Sequence, residues 1–187
     1  MDKTVKSTLN EKLKLPFIIA LICVAVLVIG MFLPYLTAVG EMGEYIEQNP
    51  DRIEIKDLGL TAGDLKDIPV ISVSKLITGI YGEDDGAIAN VIVMIFGGFL
   101  VLTALFTVLK KPIAIIIFDL FACGTFTFLN FLMKEDFIDP DKYAWGIGYY
   151  AITLAFIAVF ASAIWMLVKK IIAKKEIKAQ ALTQPIE

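Results

Sequence analysis

Residues 87–133 read AIANVIVMIFGGFLVLTALFTVLKKPIAIIIFDLFACGTFTFLNFLM, two apolar runs joined by Lys110-Lys111-Pro112. Each run supplies the roughly 20 helical residues needed to cross a hydrocarbon layer about 30 Å thick. Proline suits the first turn of a new helix, because its missing N–H would have no helical partner. The stretch therefore predicts two antiparallel membrane helices joined by a tight basic turn.

Two further runs of this kind lie outside it. Spans are predicted at 16–39, 87–109, 112–133 and 143–168, giving an all-α four-transmembrane-helix bundle. Hydrophobic residues make up 58% of the 187-residue chain and the mean hydropathy is +0.76, above the roughly 45–50% apolar content of soluble domains. The first run exceeds the roughly 7–15 residues of a secretory leader, and no small-x-small site closes it, so it reads as a retained helix.

Lysine placement predicts direction, because cytoplasmic loops accumulate basic residues. Lys3, Lys6, Lys12 and Lys14 precede span one, Lys110 and Lys111 join spans two and three, and Lys169, Lys170, Lys174, Lys175 and Lys178 follow span four. These groups fall on one side, which predicts a plasma-membrane protein with both termini cytoplasmic and a tail at 169–187. The segment 40–86, with eleven acidic residues against Arg52, Lys56, Lys66 and Lys75, falls outside.

That outer segment is too long for a turn and too apolar for a linker. It predicts a small folded extracellular cap of mixed short strand and helix. Alternation at Arg52–Lys56 and the composition of Pro69–Val73 suggest strands, and Ser74–Ile80 a short helix capped by its serine. Glu83-Asp84-Asp85-Gly86 lacks the alternating spacing of a calcium loop and reads as a solvated acidic turn before span two.

Inside the spans, helix packing is marked by small residues and by polar groups that need partners. Ala151, Ala155, Ala158 and Ser162 share one face of span four and predict a packing seam. In span three, Asp119, Cys123, Thr127 and Asn130 recur at i, i+4, i+8 and i+11 and form a polar stripe. Asp119 is the one charged residue within the predicted spans, about 12 Å from Lys111 at 1.5 Å per residue. Two readings of it stay open: an ion or proton pathway, or a packing group hydrogen-bonded to hydroxyls such as Thr103 or Thr107. Tyr35, Trp145 and Tyr149 are expected to anchor the outer interface and Trp165 the inner one.

The composition argues against several activities. Histidine is absent, which removes the commonest general base and the usual zinc ligand. Cys23 and Cys123 both fall in apolar runs and read as small core residues. No basic run interleaves with aromatics, so nucleic acid is not an expected partner. No catalytic group, metal site or cofactor is expected.

Four spans, internal termini and a long first outer loop resemble the claudin-like plan in topology only, since its Trp-Gly-Leu-Trp motif and loop cysteine pair are missing. The chain is more similar to uncharacterised bacterial four-span membrane proteins. The residues that carry this likeness are Phe32-Leu33-Pro34-Tyr35 at the exit of the first helix, Leu76-Ile77-Thr78-Gly79 before span two and Gly146-Ile147-Gly148-Tyr149 opening span four. The resemblance implies architecture and no activity. The leading expectation is a non-enzymatic tetraspan scaffold, sensor or partner-binding protein acting through its cap, toward a protein partner or a small ligand, with lipid around its helices. The alternative is an oligomeric channel or transporter subunit, in a homo-oligomer, using the polar stripe of Asp119, Cys123, Thr127 and Asn130. A membrane-embedded enzyme comes third.

Overall fold

The computed structural model describes residues 3–49, 61–136 and 138–183. Four helices are long and apolar enough to cross a membrane: α1 (Lys3–Gly30), α5 (Glu83–Val108), α6 (Pro112–Asp136) and α7 (Ile147–Thr183). This is the architecture of a multi-pass membrane protein. Between α1 and α5 lie β1 (Pro34–Ala38), α2 (Gly40–Gln48), α3 (Ala62–Lys66), β2 (Asp67–Pro69), a 3-10 turn (Val70–Ser72) and α4 (Val73–Tyr81). β3 (Tyr143–Trp145) lies between α6 and α7.

The helices pack as a ring, α1 against α5 and α7, and α6 against the same two. The reason is visible in the spacing of buried residues. On α5 they are Ala89, Val93, Phe96, Leu100, Thr103 and Thr107, and on α6 Ile115, Asp119, Ala122, Phe126, Leu129 and Met133. Both follow the alternating three-four step that presents one seam to neighbouring helices. The outward faces are equally apolar, with Met94, Val101 and Leu154 about two-thirds exposed. Such a surface is suited to contact with hydrocarbon.

Helix ends differ from the sequence expectation in physically clear ways. The first helix stops at Gly30, and residues 34–38, expected inside the first span, form strand β1. Pro34 cannot continue a helix, and it biases the residue before it toward extended backbone. At its other end α1 starts upstream of Pro16, which lies inside the helix. Tyr143–Trp145, expected at the start of the fourth span, is likewise a strand, and α7 begins at Ile147. The acidic run Glu83–Asp85 is the first turn of α5, where carboxylates complement the helix dipole.

The cap is one antiparallel sheet in the order β2-β1-β3. β1 pairs Leu36 with Ile68 and Thr37 with Asp67 on one side, and Leu36 with Trp145 and Ala38 with Tyr143 on the other. The α1–α5 and α6–α7 connections thus both contribute to it. The strand expected at Pro69–Val73 sits earlier, at Asp67–Pro69, followed by the 3-10 turn. The expected helix near Ser74–Ile80 is α4, whose N-cap is Ser72 with no side-chain cap bond. Alternation at Arg52–Lys56 lies outside the described residues. α3 carries a capping box in which Thr61 and Asp64 satisfy each other's backbone N–H groups.

α4 turns back on α5 through Gly82 at φ 105°. The sheet reaches the bundle through two glycines. A Cβ at Gly148 would lie 2.7 Å from the Leu33 carbonyl oxygen and 2.8 Å from that of Pro34, and one at Gly146 would strike Pro34. Gly148→Ala is expected to lower stability by about 1–3 kcal/mol, whereas Gly98→Ala, at a position with nothing within 4 Å, is expected to cost nothing. Thermal unfolding of both variants in detergent checks this.

Candidate functional site

Two constellations concentrate polar chemistry, one under the cap and one inside the helix ring. The first is built on Tyr35. Because β1 follows directly on α1, Tyr35 is carried down between the outer ends of the helices, where it is fully buried. Its ring meets Trp145 at 5.3 Å, Phe126 at 5.9 Å and Tyr149 at 6.4 Å, and its hydroxyl donates to Asn130 Oδ1 at 2.6 Å. Trp145 and Tyr149 stack at 4.5 Å. Tyr35, expected as an interface anchor, is therefore a core residue that joins cap to bundle. The reason is Pro34, which turns the chain inward over Gly146 and Gly148. Trp145 and Tyr149 are half-buried in the same cluster, and Trp165 is exposed on α7.

On the cap side, the Tyr143 hydroxyl donates to the Leu65 carbonyl at 3.1 Å, tying β3 to α3. Burial pushes both the Tyr35 and Tyr143 phenols up from their ordinary range, with Tyr149 adding to the effect at Tyr35. Both hydroxyls thus remain donors. On the cap's exposed surface Lys66 donates to Glu47 Oε1 at 2.5 Å, and that bond raises the lysine and lowers the carboxyl. Hydrogen bonds from Thr61 hold the Asp64 carboxyl below its usual range.

The second constellation is Asp119. Phe126 lies 5.5 Å from Phe96 and 5.9 Å from Phe156, which sets α5, α6 and α7 at a common level. Two helical turns from there toward the lysine-rich end, about 10 Å, the register reaches Thr103 on α5, Asp119 on α6 and Ser162 with Ala163 on α7. All four are buried. The Thr103 hydroxyl donates to the Phe99 carbonyl, Thr107 to that of Thr103, and Ser162 to that of Val159. Each hydroxyl's one proton is thus committed to its own helix. Asp119 Oδ1 is buried with no hydrogen-bond partner, so the expected bond from Thr103 or Thr107 to this oxygen is not formed.

The polar stripe of α6 is only partly a unit. Asp119 is on the buried seam, Cys123 and Asn130 are on its flank, and Thr127 is exposed with its hydroxyl on the Cys123 carbonyl. A rotation of about 100° per residue explains this, since steps of four carry successive members off the face. On α7, Ala155 and Ser162 are buried while Ala151 and Ala158 are half-buried, so the small-residue stripe forms one edge of a packed face made by Ile152, Phe156, Val159 and Met166. Sequence reasoning missed Phe96, Phe126 and Phe156. Their signal was the three-four spacing of the buried seam on each helix, hidden because the positions around it are also apolar. Among the described residues, no group of three or more metal-ligating side chains is brought together.

Comparison with models of known protein families, with curated proteins and with solved structures gave no match. The two constellations are therefore read from their own geometry.

Removing the Tyr35 hydroxyl leaves the half-buried Asn130 Oδ1 without its donor, a cost of about 1 kcal/mol. Tyr35→Phe is expected to be destabilised by that amount, and Tyr35→Phe combined with Asn130→Leu by clearly less than the sum of the single variants. A double-mutant cycle of thermal unfolding measures the coupling.

Proposed function

We propose that this chain is a non-enzymatic four-span protein of the plasma membrane that acts as a sensor or scaffold, binding a partner or small ligand at its outer cap. One observation carries the reading: the central strand of the cap is the direct continuation of the first helix, and its Tyr35 is hydrogen-bonded to Asn130 of the third. A load on the cap is thereby delivered to the helices through buried, rigid contacts. The described part of the cap gives it a water-facing surface, with α2 exposing Glu44, Tyr45 and Glu47.

The orientation in this proposal rests on the lysines. Lys110, Lys111, Lys169, Lys170 and Lys174 gather at the end of the ring opposite the cap, where the Lys170 ammonium reaches the Lys110 carbonyl and Lys110 lies 4.7 Å over the Phe17 ring. By the positive-inside bias this end is cytoplasmic.

A photo-crosslinking residue at Tyr45, which is 56% exposed, is expected to give a discrete adduct on intact cells that is absent when the same residue replaces Leu154, which is 67% exposed on the apolar face of α7. Identical products from the two positions contradict the proposal.

A specific observation favours a second reading. Asp119 leaves a carboxylate oxygen unpartnered in the bundle interior, where such a group is costly and is retained mainly for function. In this reading Asp119 serves an ion or proton pathway. Asp119→Asn is then expected to cut cation or proton flux into proteoliposomes at least tenfold while leaving the unfolding temperature unchanged. An absence of flux with the unaltered protein excludes the pathway.

A further inference from the structure

At the lysine-rich end a cavity of about 730 Å³ opens between the α5–α6 turn, the start of α6 and α7, within the roughly 300–1,000 Å³ that sites for small molecules occupy. Its walls are hydrocarbon, with Ile113, Ala114 and Ile117 on α6 facing Leu167 and Ile171 on α7. Three lysines line it as well: Lys111, Lys170 and Lys174. Lys111 and Lys174 are exposed, and Lys170 is held in place by its 2.5 Å hydrogen bond to the Lys110 carbonyl. That carbonyl belongs to a residue at φ 52°, a left-handed turn that presents it to α7. The cavity also includes the first residues of the 25-residue helix α6, so the positive end of the helix dipole lies at the same rim.

An apolar slot with cations at one end matches a molecule that is hydrocarbon over most of its length and anionic at its tip. We propose that the cavity binds one anionic phospholipid, an acyl chain lying along Ile113, Ile117, Leu167 and Ile171 and the phosphate held by Lys111, Lys170 and Lys174. Charge complementarity selects the anionic class, because the positively charged headgroup of a zwitterionic lipid would be placed among ammonium groups. The apolar walls select a lipid over a free phosphate compound. This inference rests on the four helices crossing a bilayer and is independent of what the cap binds.

Native mass spectrometry of the purified full chain, exchanged into detergent with equal amounts of phosphatidylglycerol and phosphatidylcholine, tests it. The expected result is at least tenfold more phosphatidylglycerol than phosphatidylcholine bound. Each lysine near an anionic headgroup is worth about fivefold in affinity, so K111Q/K174Q is expected to lower phosphatidylglycerol binding at least tenfold. K169Q/K175Q removes the same charge beside the cavity and is expected to leave binding within twofold. Three results overturn the proposal: no preference for phosphatidylglycerol, equal losses in the two double variants, or competition by glycerol phosphate at the concentrations effective for the lipid. Resistance to carbonate extraction from vesicles separately tests whether the helices insert, so failure of the lipid site is distinguishable from failure of the membrane reading.

Discussion

The crossing of backbone over backbone at the N-terminal end of α7 is the constraint from which the cap follows. Leu33 and Pro34 pass so close above Gly146 and Gly148 that no Cβ fits between them. That approach sets where β1 begins, and its register then seats Trp145 opposite Leu36 and lowers Tyr35 onto Phe126. Without it the chain would leave the first helix toward water, and the aromatic cluster would lose its centre. A second close approach reinforces it one turn lower, where a Cβ on Gly30 would meet the Ile152 side chain at 2.6 Å. Small residues at these crossings let helices associate in lipid, where burial of apolar side chains offers no net advantage over contact with acyl chains.

Polar groups are distributed unevenly within this frame, and the unevenness separates hydrogen-bonded side chains from one that is not. Thr103, Thr107, Thr153 and Ser162 turn their hydroxyls onto carbonyls of their own helices, the arrangement that hides a hydroxyl in hydrocarbon without a partner helix. Asn130 is satisfied across elements by Tyr35. Asp119 alone has a buried side-chain oxygen without a partner among the described residues. Satisfied neighbours and one unsatisfied acid set Asp119 apart from the other buried polar side chains of the described bundle.

The helices were legible from the sequence because length and hydropathy alone determine a span, and Lys110-Lys111-Pro112 marked one turn outright. Their ends were less so. Hydropathy does not distinguish a membrane helix from a buried strand, and Tyr35-Leu36 and Tyr143-Ala144-Trp145 are apolar in both roles. Pro34 and the Gly-x-Gly at 146–148 were visible as punctuation, but their partnership spans more than a hundred residues and leaves no local trace. The site was half legible in the same sense. Asp119 stood out as a charge in an apolar run, whereas its isolation from Thr103 depends on hydroxyl rotamers that composition does not encode.

The sheet order β2-β1-β3 has a consequence for the way the chain is made. Its central strand is synthesised early, yet one of its neighbours arrives only with Tyr143–Trp145, on the order of ten seconds later at ordinary translation rates. Until then the edge of β1 that faces β3 is open, while β2 is already available to the other edge. A chain truncated or stalled before Tyr143 therefore keeps one edge of Leu36–Ala38 unpaired, an edge that the finished sheet covers with β3.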